Sequence, residues 1–233
     1  MMKKSLLLIH FIISTTFFYS SLEGYQISMN NIQTGISSTL NDDQSRIILL
    51  SGFLGAVLTK KYERKFQQNY NGNLLNPHFA QLGDYWGIGG QFIILSSIDR
   101  KSDQFRYASN AMVANGLITY SIKYITSKMR PDMSNRRSFP SGHTSASFIA
   151  ATVAHKVYGR QISSPAFLLA GLTGISRIHD NKHYLSDVIF GAALGITIGL
   201  GFSKEFQTER MQKIDDGGIL IKNSYSINVI WPL

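Results

Sequence analysis

Blocks of apolar residues punctuate this 233-residue chain and set its predicted elements. The runs from Ile47 to Leu58, Ile88 to Ile98, Ala166 to Ile175 and Val188 to Phe202 are each shorter than the roughly 20 apolar residues that cross a bilayer. Two longer mixed stretches, Ala108 to Met129 and His143 to Tyr158, read as helices. In the last apolar run Gly191, Gly195 and Gly199 recur every four residues, which bares one helix face for close contact, in a membrane or in a tight soluble core. Residues 25 to 45, rich in Asn, Gln, Ser and Thr, read as a loop or surface segment, and Tyr62 to Asn76 is basic and polar. Asn76-Pro77 marks a break, and Gly83 to Gly87 is expected to open the next helix. After Gly217-Gly218, the residues Ile221, Tyr225, Ile227, Val229 and Trp231 alternate mostly with polar ones. That is a strand pattern, which needs a partner strand in the Tyr25 to Gln33 segment or in another chain.

The amino terminus has the form of an export signal: Met1-Met2-Lys3-Lys4, an apolar stretch from Leu6 to Tyr19, then Ser20-Ser21. A periplasmic location follows, with a retained amino-terminal anchor as the alternative because the cleavage site is not clean. The chain then divides into a signal at 1–21, a helical and loop region at 22–79, a core at 80–203 and a tail at 204–233. A mean hydropathy of −0.02, leader included, favours a globular helical domain that touches the membrane over an integral inner-membrane protein of several spans. There is no cysteine, so disulfides, thiol chemistry and cysteine metal sites are excluded. The formal charge of +9 points to anionic partners, either phosphorylated substrates or a membrane surface. No nucleic-acid motif accompanies it, and nucleic acid is not expected as a partner.

Three clusters carry the chemistry: Lys123 with Arg130-Pro131, Pro140-Ser141-Gly142-His143, and Ser176-Arg177 with His183 and Asp187. At its transition state a phosphoryl group spreads negative charge over three oxygens, so its transfer depends mostly on positioning and electrostatics. Lys123, Arg130 and Arg177 can supply that positive charge without a metal, and arginine adds a planar fork that meets two oxygens at once. Lys123 and Arg130 stand seven positions apart, so two helical turns place them on one face, and Pro131 ends the helix there. Pro140-Ser141-Gly142 precedes a helix start, where backbone amides and a glycine make an anion site. His183 and Asp187 stand at i and i+4, so the carboxylate can orient the imidazole. Taken singly, Lys123 reads as a snorkelling lysine and Asp187 as a helix cap; the joint pattern is what argues for a site. His78, His155 and His179 read as surface or packing residues. Lys128, Arg136 and Arg137 flank the clusters and either steer substrate or belong to an ordinary basic face.

The ordered set Lys-x6-Arg-Pro, Pro-Ser-Gly-His, Ser-Arg-x5-His-x3-Asp resembles the type 2 phosphatidic acid phosphatase (PAP2) superfamily, which also holds bacterial class A acid phosphatases and vanadium haloperoxidases. The resemblance covers roughly residues 80 to 203, and all three motifs are complete. It implies an all-α bundle and a phosphatase acting on phosphate monoesters or diphosphates; the basic surface and the export signal favour lipid phosphates over small soluble esters as its substrates. It implies that His183 attacks phosphorus and becomes phosphohistidine, Asp187 orients it, and His143 protonates the departing oxygen and then activates water. Lys123, Arg130, Arg177, Ser141 and the Gly142 amide would hold the phosphate oxygens. No metal or other cofactor is implied, except in the haloperoxidase alternative, where vanadate would be bonded to His183.

Overall fold

The computed structural model describes residues 27–70 and 72–215, with side chains as far as Lys204. The export signal and the strand pattern after Gly217-Gly218 lie outside the described residues. Eight helices make up the described chain: α1 Met29–Asn41, α2 Asp43–Lys60, α3 Glu63–Tyr70, α4 Pro77–Ser96, α5 Asp103–Thr126, α6 Gly142–Tyr158, α7 Arg160–His179 and α8 Leu185–Asp215. The predicted all-α class holds.

Short polar caps start four of these helices by satisfying amide groups that have no partner inside the helix. Asp42 accepts from the Ser45 amide at 2.9 Å to open α2, and Ser102 accepts from the Phe105 amide at 3.1 Å to open α5. Asn76 caps α4, with Pro77 in its first turn, where a missing N–H costs nothing. That helix therefore begins at the Asn76-Pro77 break itself, and the Gly83 to Gly87 stretch expected to open it lies inside. Gly159 joins α6 to α7 at φ 76°, a left-handed conformation that favours glycine.

α8 is the axis of the bundle. It packs against α1 and α2 on one side and α5 and α6 on the other, while α4 and α7 cover α6. From Leu185 to Lys204 it is long and apolar enough to cross a membrane, but 67% of that segment is buried inside the protein. The Gly191, Gly195 and Gly199 stripe is accounted for by a helix crossing. A Cβ on Gly195 would meet the Ser145 carbonyl oxygen of α6 at 2.4 Å and the Ile149 amide nitrogen at 2.9 Å. Backbone cannot yield as a side chain can, so the stripe lets α6 and α8 touch along their main chains. Buried alanines continue the close packing: Ala108, Ala111 and Ala114 on α5, and Ala150, Ala151 and Ala154 on α6.

One sequence expectation is corrected, and one polar stretch gains a defined structure. Residues 29–41, inside the segment read as loop or surface, form α1, which docks on α8 through buried Ile32 and through Gly35 beneath the Phe202 ring. The Tyr62 to Asn76 interval contains α3, whose Glu63 and Gln67 are buried. Both helices are polar along most of their length; a few contacts with the axis helix decide their state.

Candidate active site

Asp187 lies in the first turn of α8, fully buried, and accepts from three surrounding donors. Lys128 Nζ donates to its Oδ1 at 2.9 Å, while the Tyr184 amide, at 2.9 Å, and the Ser138 hydroxyl donate to its Oδ2. Its own backbone carbonyl accepts from the Ser141 amide at 3.0 Å, which ties the second motif to the third. Burial acts to raise the Asp187 pKa, but the His183 contact and the Lys128 charge outweigh it and hold the pKa down at about 2.

His183 is 2% exposed and sits in the turn before α8, not on the helix with Asp187 as the i, i+4 spacing predicted. Its Nδ1 lies 3.7 Å from Asp187 Oδ2, beyond hydrogen-bond reach, and has no hydrogen-bond partner. In the turn that presents it, the Arg177 carbonyl accepts from the Lys182 amide at 3.0 Å and the His183 amide at 3.1 Å. Burial, with Lys123 and Arg130 adding to it, pushes the His183 pKa down to about 4 against the pull of Asp187. The ring is neutral at pH 7 and keeps a lone pair.

His143 opens α6 one residue after Gly142, against Gly87 of α4. A Cβ on Gly87 would come within 2.8 Å of the His143 ring, so α4 can lie across the site only because that position is bare. Burial, then Arg130 and Lys123, lower the His143 pKa to about 4. The sequence reading asked for a protonated His143. The protein alone holds it neutral, so the negative charge of a phosphate is needed to bring the proton.

The cations arrive from three directions. Lys123, in the last turn of α5, is 5% exposed and donates from Nζ to the Arg137 carbonyl at 2.9 Å and to the Pro140 carbonyl. Burial, with Arg130 and Arg137 beside it, lowers its pKa to about 8. Arg130 is not on that helix face: α5 ends at Thr126, Ser127 turns left-handed at φ 44°, and the loop that follows returns Arg130 to the site. The correction has a local cause, since a left-handed residue stops the helix four positions before Pro131 forbids it. Arg130 Nε is buried with no hydrogen-bond partner. Arg177, at the end of α7, donates to Asp180 Oδ2 at 2.7 Å and is ion-paired with Asp84 of α4. Ser141 is the cap of α6, its Oγ 2.8 Å from Thr144 Oγ1, and a Cβ on Gly142 would come no nearer than 3.5 Å to a neighbour, the Lys123 side chain.

Four side chains that sequence reasoning did not assign complete the surroundings. Glu63 of α3 accepts from Lys128 Nζ at 2.7 Å and from Ser186 Oγ at 2.5 Å; Ser138 and Ser186 line the same cluster; Asp84 also accepts from Ser176 Oγ at 3.0 Å. Lys128, read as a steering or surface cation, is instead held between Glu63 and Asp187, over the Tyr184 ring at 4.5 Å. The other histidines pack elsewhere: His179 Nδ1 accepts from the Leu75 amide at 3.2 Å and His155 Nδ1 meets Ser163 Oγ at 3.1 Å.

Comparison with known proteins agrees with this arrangement. Residues 105–211 match the family model of the PAP2 superfamily. A lipid A 1-phosphatase of Porphyromonas gingivalis is 45% identical over 84 residues, which are 34% of this chain and 19% of that protein. The chain thus matches about a fifth of the length of that relative. Among solved structures, LpxE of Aquifex aeolicus is similar at a TM-score of 0.50 and 27% identity, over 60% of this chain and 93% of that one. A transmembrane PAP2-type phosphatidylglycerolphosphate phosphatase of Bacillus subtilis shares the fold at a TM-score of 0.51 and 18% identity, over 75% and 96% of the two chains. With the three motifs complete inside the matched segment and their residues gathered around Asp187, residues 105–211 of this chain are similar to the PAP2 superfamily.

Proposed function

We propose that the protein is an exported, metal-independent phosphatase that hydrolyses lipid phosphates through a phosphohistidine intermediate. The observation that carries this reading is His183: a buried, neutral imidazole beside a carboxylate anchored by three other donors, with Lys123 and Arg130 close enough to lower its pKa. Neutral nitrogen in a positively charged, dry pocket is a nucleophile aimed at an anion. In the first step the His183 ring attacks phosphorus while His143, protonated under the influence of the bound phosphate, gives its proton to the departing oxygen. Lys123, Arg130 and Arg177, with Ser141 and the Gly142 amide, hold the three spreading charges. Asp187 then stabilises the cationic ring of the phosphohistidine, and His143, now neutral, takes a proton from the water that releases phosphate.

The lipid part of the reading rests on the outer surface. Ile47, Leu50, Phe53, Leu54, Val57 and Leu58 of α2 are each more than half exposed. An apolar face of that size on a protein whose axis helix is already buried suits contact with a membrane. The named activity of the Porphyromonas relative supports the same substrate class.

The test is kcat/KM for purified protein on lipid phosphates in detergent and on small soluble phosphate esters, with and without EDTA. Turnover favouring lipid phosphates and unaffected by chelator is expected. Preference for soluble esters would move the protein to a non-specific phosphatase, and loss of activity in EDTA restored by Mg²⁺ or Zn²⁺ would sink the metal-independent mechanism. Rapid quench with a ³²P-labelled substrate should place an alkali-stable, acid-labile label on His183.

A further inference from the structure

A half-open cleft of about 420 Å³ adjoins the catalytic cluster, lined by Lys123, Tyr124, Ser127, Asn135, Arg136 and Arg137. Its wall holds three cations and no carboxylate. Three neighbouring cations at this end of the bundle are answered by carboxylates: Lys128 by Glu63 and Asp187, Arg177 by Asp84 and Asp180, and Lys182 by Asp132 at 2.7 Å. Arg136 and Arg137 have no ion pair among the described residues. The guanidinium of Arg137 lies over the Tyr124 ring at 4.8 Å, an arrangement that uses its face and leaves its N–H edge for an acceptor.

The cleft is also preformed. The Arg130 amide donates to the Asn135 carbonyl at 3.0 Å, the Arg137 amide to Asn135 Oδ1 at 3.0 Å, and the Ser138 amide to the Lys128 carbonyl at 2.9 Å. Lys123 belongs to both places, since its Nζ bonds the Arg137 carbonyl of the cleft wall while its charge reaches His143 and His183. An anion in the cleft therefore lies within one lysine side chain of the catalytic histidines.

We propose that this cleft is a second anion subsite that takes a further phosphate group carried by the same substrate molecule, so that substrates bearing two phosphates are preferred over those bearing one. The inference rests on the phosphatase reading above and adds which phosphorylated substrates the site selects. Two arginine forks and an ammonium offer a phosphate more donors than any single protein carboxylate uses, and charge-assisted contacts of this kind change affinity by about 10- to 100-fold.

The experiment compares the full chain with its Arg136→Gln, Arg137→Gln double variant. Both side chains are exposed, so the fold should survive, and an unchanged thermal transition checks this. Substrates are alkyl monophosphates and α,ω-alkanediol bisphosphates of graded spacer length, with a small aryl phosphate as the reference. The wild type should favour bisphosphates at one spacer length by about 10- to 100-fold in kcat/KM, and the variant should lose that preference while keeping its rate on the aryl phosphate. An unchanged preference, or an equal fall on every substrate, would overturn the subsite. A fall confined to anionic micelles, alike for both substrate types, would mean that the arginines read neighbouring headgroups, and would overturn it too. Calorimetric binding of alkylene bisphosphonates against alkyl phosphonates needs no turnover. If the protein hydrolyses nothing, the phosphatase reading fails, and a bisphosphonate preference abolished in the variant still sustains the subsite, while equal binding ends it.

Discussion

Replacing Lys128 by Met removes the ammonium that lies 2.9 Å from Asp187 Oδ1 and 2.7 Å from Glu63 Oε2. His183 Nδ1 then faces, at 3.7 Å, a carboxylate whose charge has lost its nearest compensation. Two unit charges at that range interact by about 4 kcal/mol at an effective dielectric near 20, equivalent to about 3 pKa units. The Ser138 hydroxyl and the Tyr184 amide remain on Asp187, and Lys123 and Arg130 still oppose protonation of the ring, so a fraction of that is expected. We expect the His183 pKa, now about 4, to rise by roughly one unit. The sign follows from charge: an uncompensated carboxylate favours the imidazolium, so the His183 ring becomes neutral only at higher pH. Titration of the histidine ring carbons by NMR reads the shift directly, and the acid limb of kcat/KM should move upward with it. Lys128→Met also strands buried Glu63, a change that costs about 3–5 kcal/mol when one partner of a buried pair is removed. Adding Glu63→Gln relieves that cost and leaves Asp187 uncompensated. If the double variant folds and its His183 titration matches the wild type, Lys128 only joins helices and plays no part in setting the charge of the His183 ring.

Three further outcomes are expected. His143→Ala should lower kcat on alkyl phosphates by about 10²- to 10⁴-fold and spare an aryl phosphate, whose leaving group needs little protonation; equal losses would remove the acid role. Gly195→Ala drives a methyl group to 2.4 Å from the Ser145 carbonyl, so α6 and α8 must part, at a cost of about 1–3 kcal/mol and a Tm lower by several degrees in a thermal melt. Stability should fall with acid: both His183 and His143 have folded pKa values of about 4, below the ordinary 6.5, so the unfolded chain takes up their protons first and the stability they confer is whole above 6.5 and lost as pH falls through 4. Between pH 7 and 5 that is about 2 kcal/mol for each ring by linkage, and urea titrations that superimpose at the two pH values would contradict their burial as neutral groups.

Chemistry was legible wherever it is written in short spacings. The eleven motif residues lie within sixty-five positions of one another, from Lys123 to Asp187, and each motif carries its local device: a cap and glycine before α6, a turn before α8. The run read as a helix from His143 to Tyr158 is α6, Gly142–Tyr158, because its cap and its terminal Gly159 act on neighbouring residues. The glycine stripe was legible as a contact face, but its partner, the backbone of α6, is a tertiary fact.

What the linear order could not supply was the surroundings of the site. Glu63 reaches Lys128 across 65 positions and Asp84 reaches Arg177 from another helix, and no period or spacing encodes either meeting. Arg130 looked like a continuation of α5, yet one left-handed residue at Ser127 put it on a loop. α1 looked like a loop because its propensities are weak, and Ile32 and Gly35 against α8 made it a helix. The amino-acid sequence by itself determined which candidate groups the chain brings to a site, since two histidines, a carboxylate and three cations at fixed spacings are identities. Their protonation states, and the carboxylates that face them, were decided only by the fold, because a pKa depends on burial and on charges brought near through space, from helices distant along the chain.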